Sequence, residues 1–229
     1  MRHKPIKNKL FVENRKRLAE LMVPKALSVL NANDVLPTNA DGTLPMHPNV
    51  DLFFLSGIEQ EESILLLFPN AAEEKHREIL FLRQPNEHLQ TWEGYKHSKA
   101  DARKISGIKN VQWLSEFPAT FRVLMCEAEV AYLNTNEHKR AVLAVETRDA
   151  RFIEQCRRDF PLHDYRRLAP LLHRLRVVKT DLELELLKEA VDITAKGFRR
   201  TLRFVKPGVT EYEVEAEWSL EFIRRRGKF

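Results

Sequence analysis

Cysteine and glycine are both scarce, two and seven in 229 residues. So few cysteines exclude a disulfide-built scaffold. Cys126 and Cys156 have neither a CxxC partner nor a histidine cluster nearby, and are expected to be reduced, mostly buried thiols. No glycine-rich phosphate loop, GxSxG elbow or HExxH pair occurs, and His88, His97, His138, His163 and His173 stand at no ligand spacing. His47 beside Pro48 reads as part of a loop. No run of about 18 apolar residues is present, which excludes a helical membrane span. The basic opening, Met1 to Lys7, lacks the apolar stretch of roughly 7–15 residues that a secretory signal needs, so a cytoplasmic location is expected.

A sustained excess of one charge sign is also missing. The formal net charge of +5 arises within the first twenty residues, where seven Lys or Arg meet two Glu, and the remainder balances. A nucleic-acid surface needs a concentrated basic stripe with aromatic residues interleaved. Only short clusters such as Arg224-Arg225-Arg226 exist. A solvated basic helix is the plainer reading, and neither nucleic acid nor membrane is an expected partner.

What is present, 43% hydrophobic and 31% charged residues, is the composition of a soluble globular chain. Leu10, Phe11, Leu18, Leu21 and Met22 recur at helical spacing, which predicts an amphipathic helix over 8–22 that Pro24 ends. Apolar segments of strand length follow: Ala26 to Leu30, Asp51 to Leu55, Ser63 to Phe68 and Glu78 to Leu82, each closed by turn residues. Glu59, Glu61 and Glu62 read as a solvated acidic turn. Pro37 to Asn49 holds three prolines and Asp41-Gly42, the chemistry of a surface loop. Helical patterns then alternate with further strands: Ala100 to Ile105, Val111 to Leu114, Phe117 to Cys126, Val130 to Asn134 and Thr147 to Arg158. The expected fold class is α/β, a mixed sheet flanked by helices.

Near residue 160 the character changes. Asp159 to Asp164 reads as the last strand of the first domain, and Leu168 to Leu175 as a linking helix. Thr180-Asp181-Leu182-Glu183 and Thr210-Glu211-Tyr212-Glu213 are capping boxes, in which hydroxyl and carboxylate satisfy amides that a first helical turn leaves free. A long helix is therefore expected from Asp181, stopped by Lys206-Pro207-Gly208, with a second to Arg226. The first would bury Leu186, Leu187, Ala190, Val191, Phe198, Leu202 and Val205. The second would show a face containing Val214, Trp218 and Phe222. Two helices cover each other along one seam only, so a further sheet or a partner is expected to cover the other face. The domains expected are 1–165, a linker over 166–179, and a helical start to a second domain over 180–229.

The run from Pro170 to Thr180, continuing through Glu183, Ala190, Ile193, Thr194 and Ala195 to Lys206-Pro207-Gly208-Val209-Thr210-Glu211, resembles the junction that opens the "pita-bread" domain of the aminopeptidase P, prolidase and creatinase family. Asp51 to Gly57 is similar to the aromatic-rich strand ending in Thr/Ser-Gly of that family's amino-terminal domain. Phe81-Leu82-Arg83 with Trp92-Glu93-Gly94 is similar to its strand and Trp-x-Gly loop, which points to the aminopeptidase P branch. The resemblance implies the amino-terminal portion of an Xaa-Pro aminopeptidase that hydrolyses the bond before a penultimate proline with two manganese ions. It implies homo-oligomers, proline-containing peptides as partners, and substrate-binding roles for Trp92 and Asp51. The family's two aspartates, histidine and two glutamates match no position here, so no catalytic or metal residue is assigned and the chain is expected to be inactive alone. Prolidase and a non-catalytic peptide-binding pseudo-peptidase are the alternatives, with creatinase a more distant one.

Overall fold

The computed structural model describes residues 4–141 and 144–227, apart from the side chains of His88 and Leu89, so His88 lies outside what can be placed. The chain divides into two compact units: Lys7–Val177, and the stretch from Val178 onward with the few residues before Lys7.

In the first unit the elements run α1 Lys9–Leu21, β1 Ala26–Asn31, α2 Val50–Ser56, β2 Ile64–Leu67, β3 Glu78–Leu82, α3 Glu87–Glu93, α4 Lys99–Ser106, β4 Asn110–Trp113, α5 Phe117–Glu127, β5 Val130–Leu133, α6 Arg148–Asp159, β6 Asp164–Arg167 and α7 Ala169–Val177. The six strands form one mixed sheet in the order β4-β3-β2-β1-β5-β6, in which β1 and β3 are antiparallel to β2 and the other pairs are parallel. Every residue of β1 is buried, because the sheet is covered on both faces. The period of two decides which face each side chain joins. Leu30, Leu65, Leu80 and Tyr132 pack with Leu18 of α1, Leu52 and Leu55 of α2, Ala102 of α4 and Leu172 of α7. Leu27, Val29, Leu66, Phe81 and Ala131 pack on the other side with Phe117, Phe121 and Leu124 of α5 and Phe152 of α6. The fold is thus a mixed sheet between two helical layers. Strand β6 forms one margin, with Asp164, Arg166 and Arg167 exposed.

Expectations for a helix, a strand and a cysteine change in this unit. Asp51 to Leu55 is helical, because Asn49 Oδ1 accepts from the amides of Asp51 and Leu52 at 3.0 and 3.1 Å and starts a turn. The last strand lies at 164–167: α6 continues to Asp159, and the strand forms only beyond Pro161, where the chain pairs with β5. Cys126 is exposed on α5, whereas Cys156 is buried on α6 and its thiol is pushed up to about 12 by burial and by Asp159.

The second unit holds α8 Asp181–Phe204 and α9 Glu211–Arg224. The carboxylate half of both capping boxes forms, the Thr180 amide donating to Glu183 and the Thr210 amide to Glu213, each at 2.8 Å, and at Thr180 the hydroxyl also accepts from the Glu183 amide at 3.3 Å. The seam differs from the expected stripe. It consists of Ile193 and Gly197 against Phe222 and Trp218, and a Cβ on Gly197 would lie 3.1 Å from the Phe222 ring. Leu187, Val191, Phe198, Leu202 and Val205, expected to be buried, are all exposed. Gly197 lets α9 approach closely on its own side of α8, which leaves the larger aliphatic face uncovered. Glu221 in the seam is buried and pairs with Arg200 and Arg225.

Candidate functional site

Trp92 lies in the last turn of α3, a short helix where the resemblance implied a loop, and is 78% exposed. Gly94 (φ 79°) then turns the chain away. The segment is pinned from beneath by charge. Glu93 Oε2 takes Arg83 Nη1 at 2.9 Å, and buried Lys96 lies 3.3 Å from Glu93 and 2.5 Å from Glu61. The acidic turn is therefore not simply solvated, since Glu61 neutralises a buried ammonium. Past this clasp, Tyr95 donates to Asp101 at 2.5 Å, which raises the phenol, while the bonds from Ser98 and then from Tyr95 hold the Asp101 carboxyl low. His97 is held below its usual value by burial, and its amide donates to Gln60 at 2.7 Å.

Asp51 occupies the first turn of α2, apart from this aromatic edge in the contacts it makes. Its carboxylate accepts from Asn134 just after β5 at 3.1 Å and pairs with Arg176 of α7 at 2.8 Å. The Arg176 guanidinium lies over the Phe54 ring at 5.4 Å, so Asp51 joins two helices and a strand end.

A further polar group lies where parallel β1 ends and α6 begins, the kind of place where strand carboxyl ends and helix starts meet. Asn31 donates to Asp149 at 2.9 Å, and Asp34 accepts the Arg148 amide at 2.9 Å and pairs with Arg151 at 2.6 Å. Burial raises Asp149 to about 6 from 3.8, with nearby Asp51 and Asp34 pushing the same way and the Asn31 bond and Arg148 opposing. The sequence carried one signal for this site, the helix start at Thr147, whose hydroxyl accepts from the Ala150 amide at 3.2 Å.

That carboxyl gives a pH prediction. A raised acid is better tolerated protonated, so the folded state binds its proton more tightly than the unfolded chain, and the contribution to stability grows as pH falls through 6 toward 4. The gain should be on the order of 2 kcal/mol. Asp149→Asn should remove it, read as the difference between wild-type and variant urea midpoints at about pH 4.5 and about pH 7.5. Equal differences at both values would show that Asp149 titrates normally.

Among the described residues no three or more His, Cys, Asp or Glu side chains gather where they could hold a metal ion. The described residues do not fit the two manganese ions that the resemblance implies. Among them, too, no helix is long and apolar enough to cross a membrane.

A family model described as "Aminopeptidase P, N-terminal domain" matches residues 11–150. Xaa-Pro aminopeptidase of Escherichia coli is 25% identical over 223 residues, covering 96% of this chain and 50% of that protein. Human Xaa-Pro aminopeptidase 3 is 22% identical, over 87% of this chain and 39% of its own. Among solved structures, a Bacillus anthracis protein assigned as an aminopeptidase P superposes with a TM-score of 0.83 at 28% identity, over 95% of this chain and 51% of that one. Pseudomonas aeruginosa aminopeptidase P gives 0.80 at 22%, over 99% and 50%, a likeness of fold. The chain spans about half the length of these bacterial relatives.

Proposed function

This chain belongs to the aminopeptidase P N-terminal domain family, and from that premise we propose that it serves as the amino-terminal portion of a metal-dependent Xaa-Pro aminopeptidase in the cytoplasm. Its part is to assemble subunits and to limit which proline-containing peptides reach the peptidase centre. Residues 1–165 form the restricting domain, 166–179 the link, and 180–229 open the domain that follows.

The observation that carries this reading is Trp92: a flat aromatic held out to solvent on a segment fixed by Arg83, Glu93, Lys96 and Glu61. A large ring already ordered loses little freedom when a proline ring packs on it. Asp51, the second substrate-binding position, is held in place through Arg176 and Asn134. The uncovered aliphatic face of α8 supports a protein contact, since monomers rarely leave such a stripe to water.

In an assembled enzyme that includes this chain, Trp92→Ala should raise KM for Xaa-Pro tripeptides several-fold and leave kcat unchanged, the pattern of lost uniform binding. The 229-residue chain supplied with manganese should leave the same peptides uncut. An unchanged KM removes the role of Trp92, and metal-dependent cleavage by the short chain removes the division of labour.

A further inference from the structure

Next to Asp149 a groove of about 610 Å³ opens between the end of β1, the turn before β2 and the first turns of α5 and α6. That volume suits one small molecule. Its lining mixes two kinds of chemistry: Phe117, Pro118 and Phe152 are apolar, and Asp34, Glu62 and Arg148 are charged.

Asp34 is already satisfied by Arg151 and by the Arg148 amide. Glu62 keeps only a 3.5 Å approach from Arg83 and holds a left-handed backbone (φ 56°). The Arg148 guanidinium differs from both. It is half-buried, and among the described residues it makes no hydrogen bond or ion pair, although Arg151 one turn on makes both. Burial pulls it below its ordinary value, while Glu62, Asp34 and Asp149 push it back up. A cation partly withdrawn from water without a partner is unfavourable, and an incoming carboxylate would relieve it through paired, charge-assisted bonds. A bare carboxylate would also meet the acids that line the groove, Asp34, Glu61 and Glu62. An ammonium on the same molecule turns that repulsion into attraction.

We propose that this groove binds a free α-amino acid with an apolar side chain, its carboxylate on Arg148, its ammonium toward Glu62 and its side chain against Phe117 and Pro118. The site lies within the Lys7–Val177 unit and is independent of the peptidase reading, because its test reads binding rather than cleavage.

The test is calorimetric titration of the 229-residue chain with L-leucine, beside N-acetyl-L-leucine, which lacks the ammonium, and L-leucinamide, which lacks the carboxylate. L-leucine should bind saturably, and each analogue about tenfold or more weaker, the size of one lost charge-assisted contact. Arg148→Gln should lose about as much as the amide does, with an unchanged unfolding midpoint as the control for folding. The three ligands need no variant, so the proposal can fail even if Arg148→Gln does not fold. Absence of saturable leucine binding, equal affinity for either analogue, or full affinity in a folded Arg148→Gln variant would overturn it.

Discussion

Replacing Arg15 with alanine should lower the unfolding free energy of the Lys7–Val177 unit by about 2–6 kcal/mol, about 1–3 for each buried carbonyl left without its donor. Arg15 is 1% exposed, and its Nη1 donates to Leu55 O at 2.7 Å and to Ser106 O at 3.0 Å. These are carbonyls in the last turns of α2 and α4, where aligned peptide dipoles concentrate negative charge and the helix supplies no donor. Its Nε lies 3.1 Å from Glu78 at the start of β3. One guanidinium thus closes two helices and ties them to the sheet. Alanine strands both carbonyls in the interior. Arg15→Lys keeps the charge but has no planar fork to span two acceptors, and should recover less than half of the loss. Urea unfolding followed by circular dichroism measures it, with the slope unchanged if only the native state is affected. A loss below about 1 kcal/mol would mean that the bonds are worth no more than ordinary neutral ones.

Gly57→Ala should cost about 3 kcal/mol, from two separable causes. Gly57 ends α2 at φ 70°, a left-handed conformation that disfavours a side chain by about 1–2 kcal/mol. A Cβ there would also lie 2.4 Å from Phe11 Cε2 and 2.6 Å from its Cζ. Phe11 is 2% exposed and set edge-on to Phe53, with centroids 6.0 Å apart, so the ring has little room to withdraw. Phe11→Ala vacates that space and should remove the steric part, leaving the backbone part. A double-mutant cycle on thermal unfolding separates them, and additive losses would show that the ring is not the obstacle.

The helices with chemical punctuation were legible from the residues. Thr180 with Glu183, and Thr210 with Glu213, marked the starts of α8 and α9; both Thr amides bond the carboxylate, and at Thr180 the Glu183 amide returns a bond to the hydroxyl. Buried strands were legible too, since Ala26 to Leu30 and Glu78 to Leu82 are apolar runs of strand length between turn residues. Asp51 to Leu55 misled because a short apolar run fits either period. Its arbiters, Asn49 before and Gly57 after, were in the sequence as a helix cap and a left-handed exit. The strand after α6 was misplaced because Asp164-Tyr165-Arg166-Arg167 is polar, as a margin strand can afford to be. On α8 the hydrophobic pattern marked an apolar face but not which side α9 would take; Gly197, the close-approach point, was the clue. The groove could not be read, because Asn31 and Asp149 lie 118 residues apart and only sheet pairing brings them together.

Among the described residues strand β6 has one hydrogen-bonded neighbour, with Arg166 paired to Asp164 at 2.8 Å and Arg167 paired to Glu137. An extended peptide from another molecule could align there only by stripping water from these ionic groups and parting their couples. The border that a fibril would extend is thereby made uninviting, and crowded solutions of the folded protein should resist seeded growth along it.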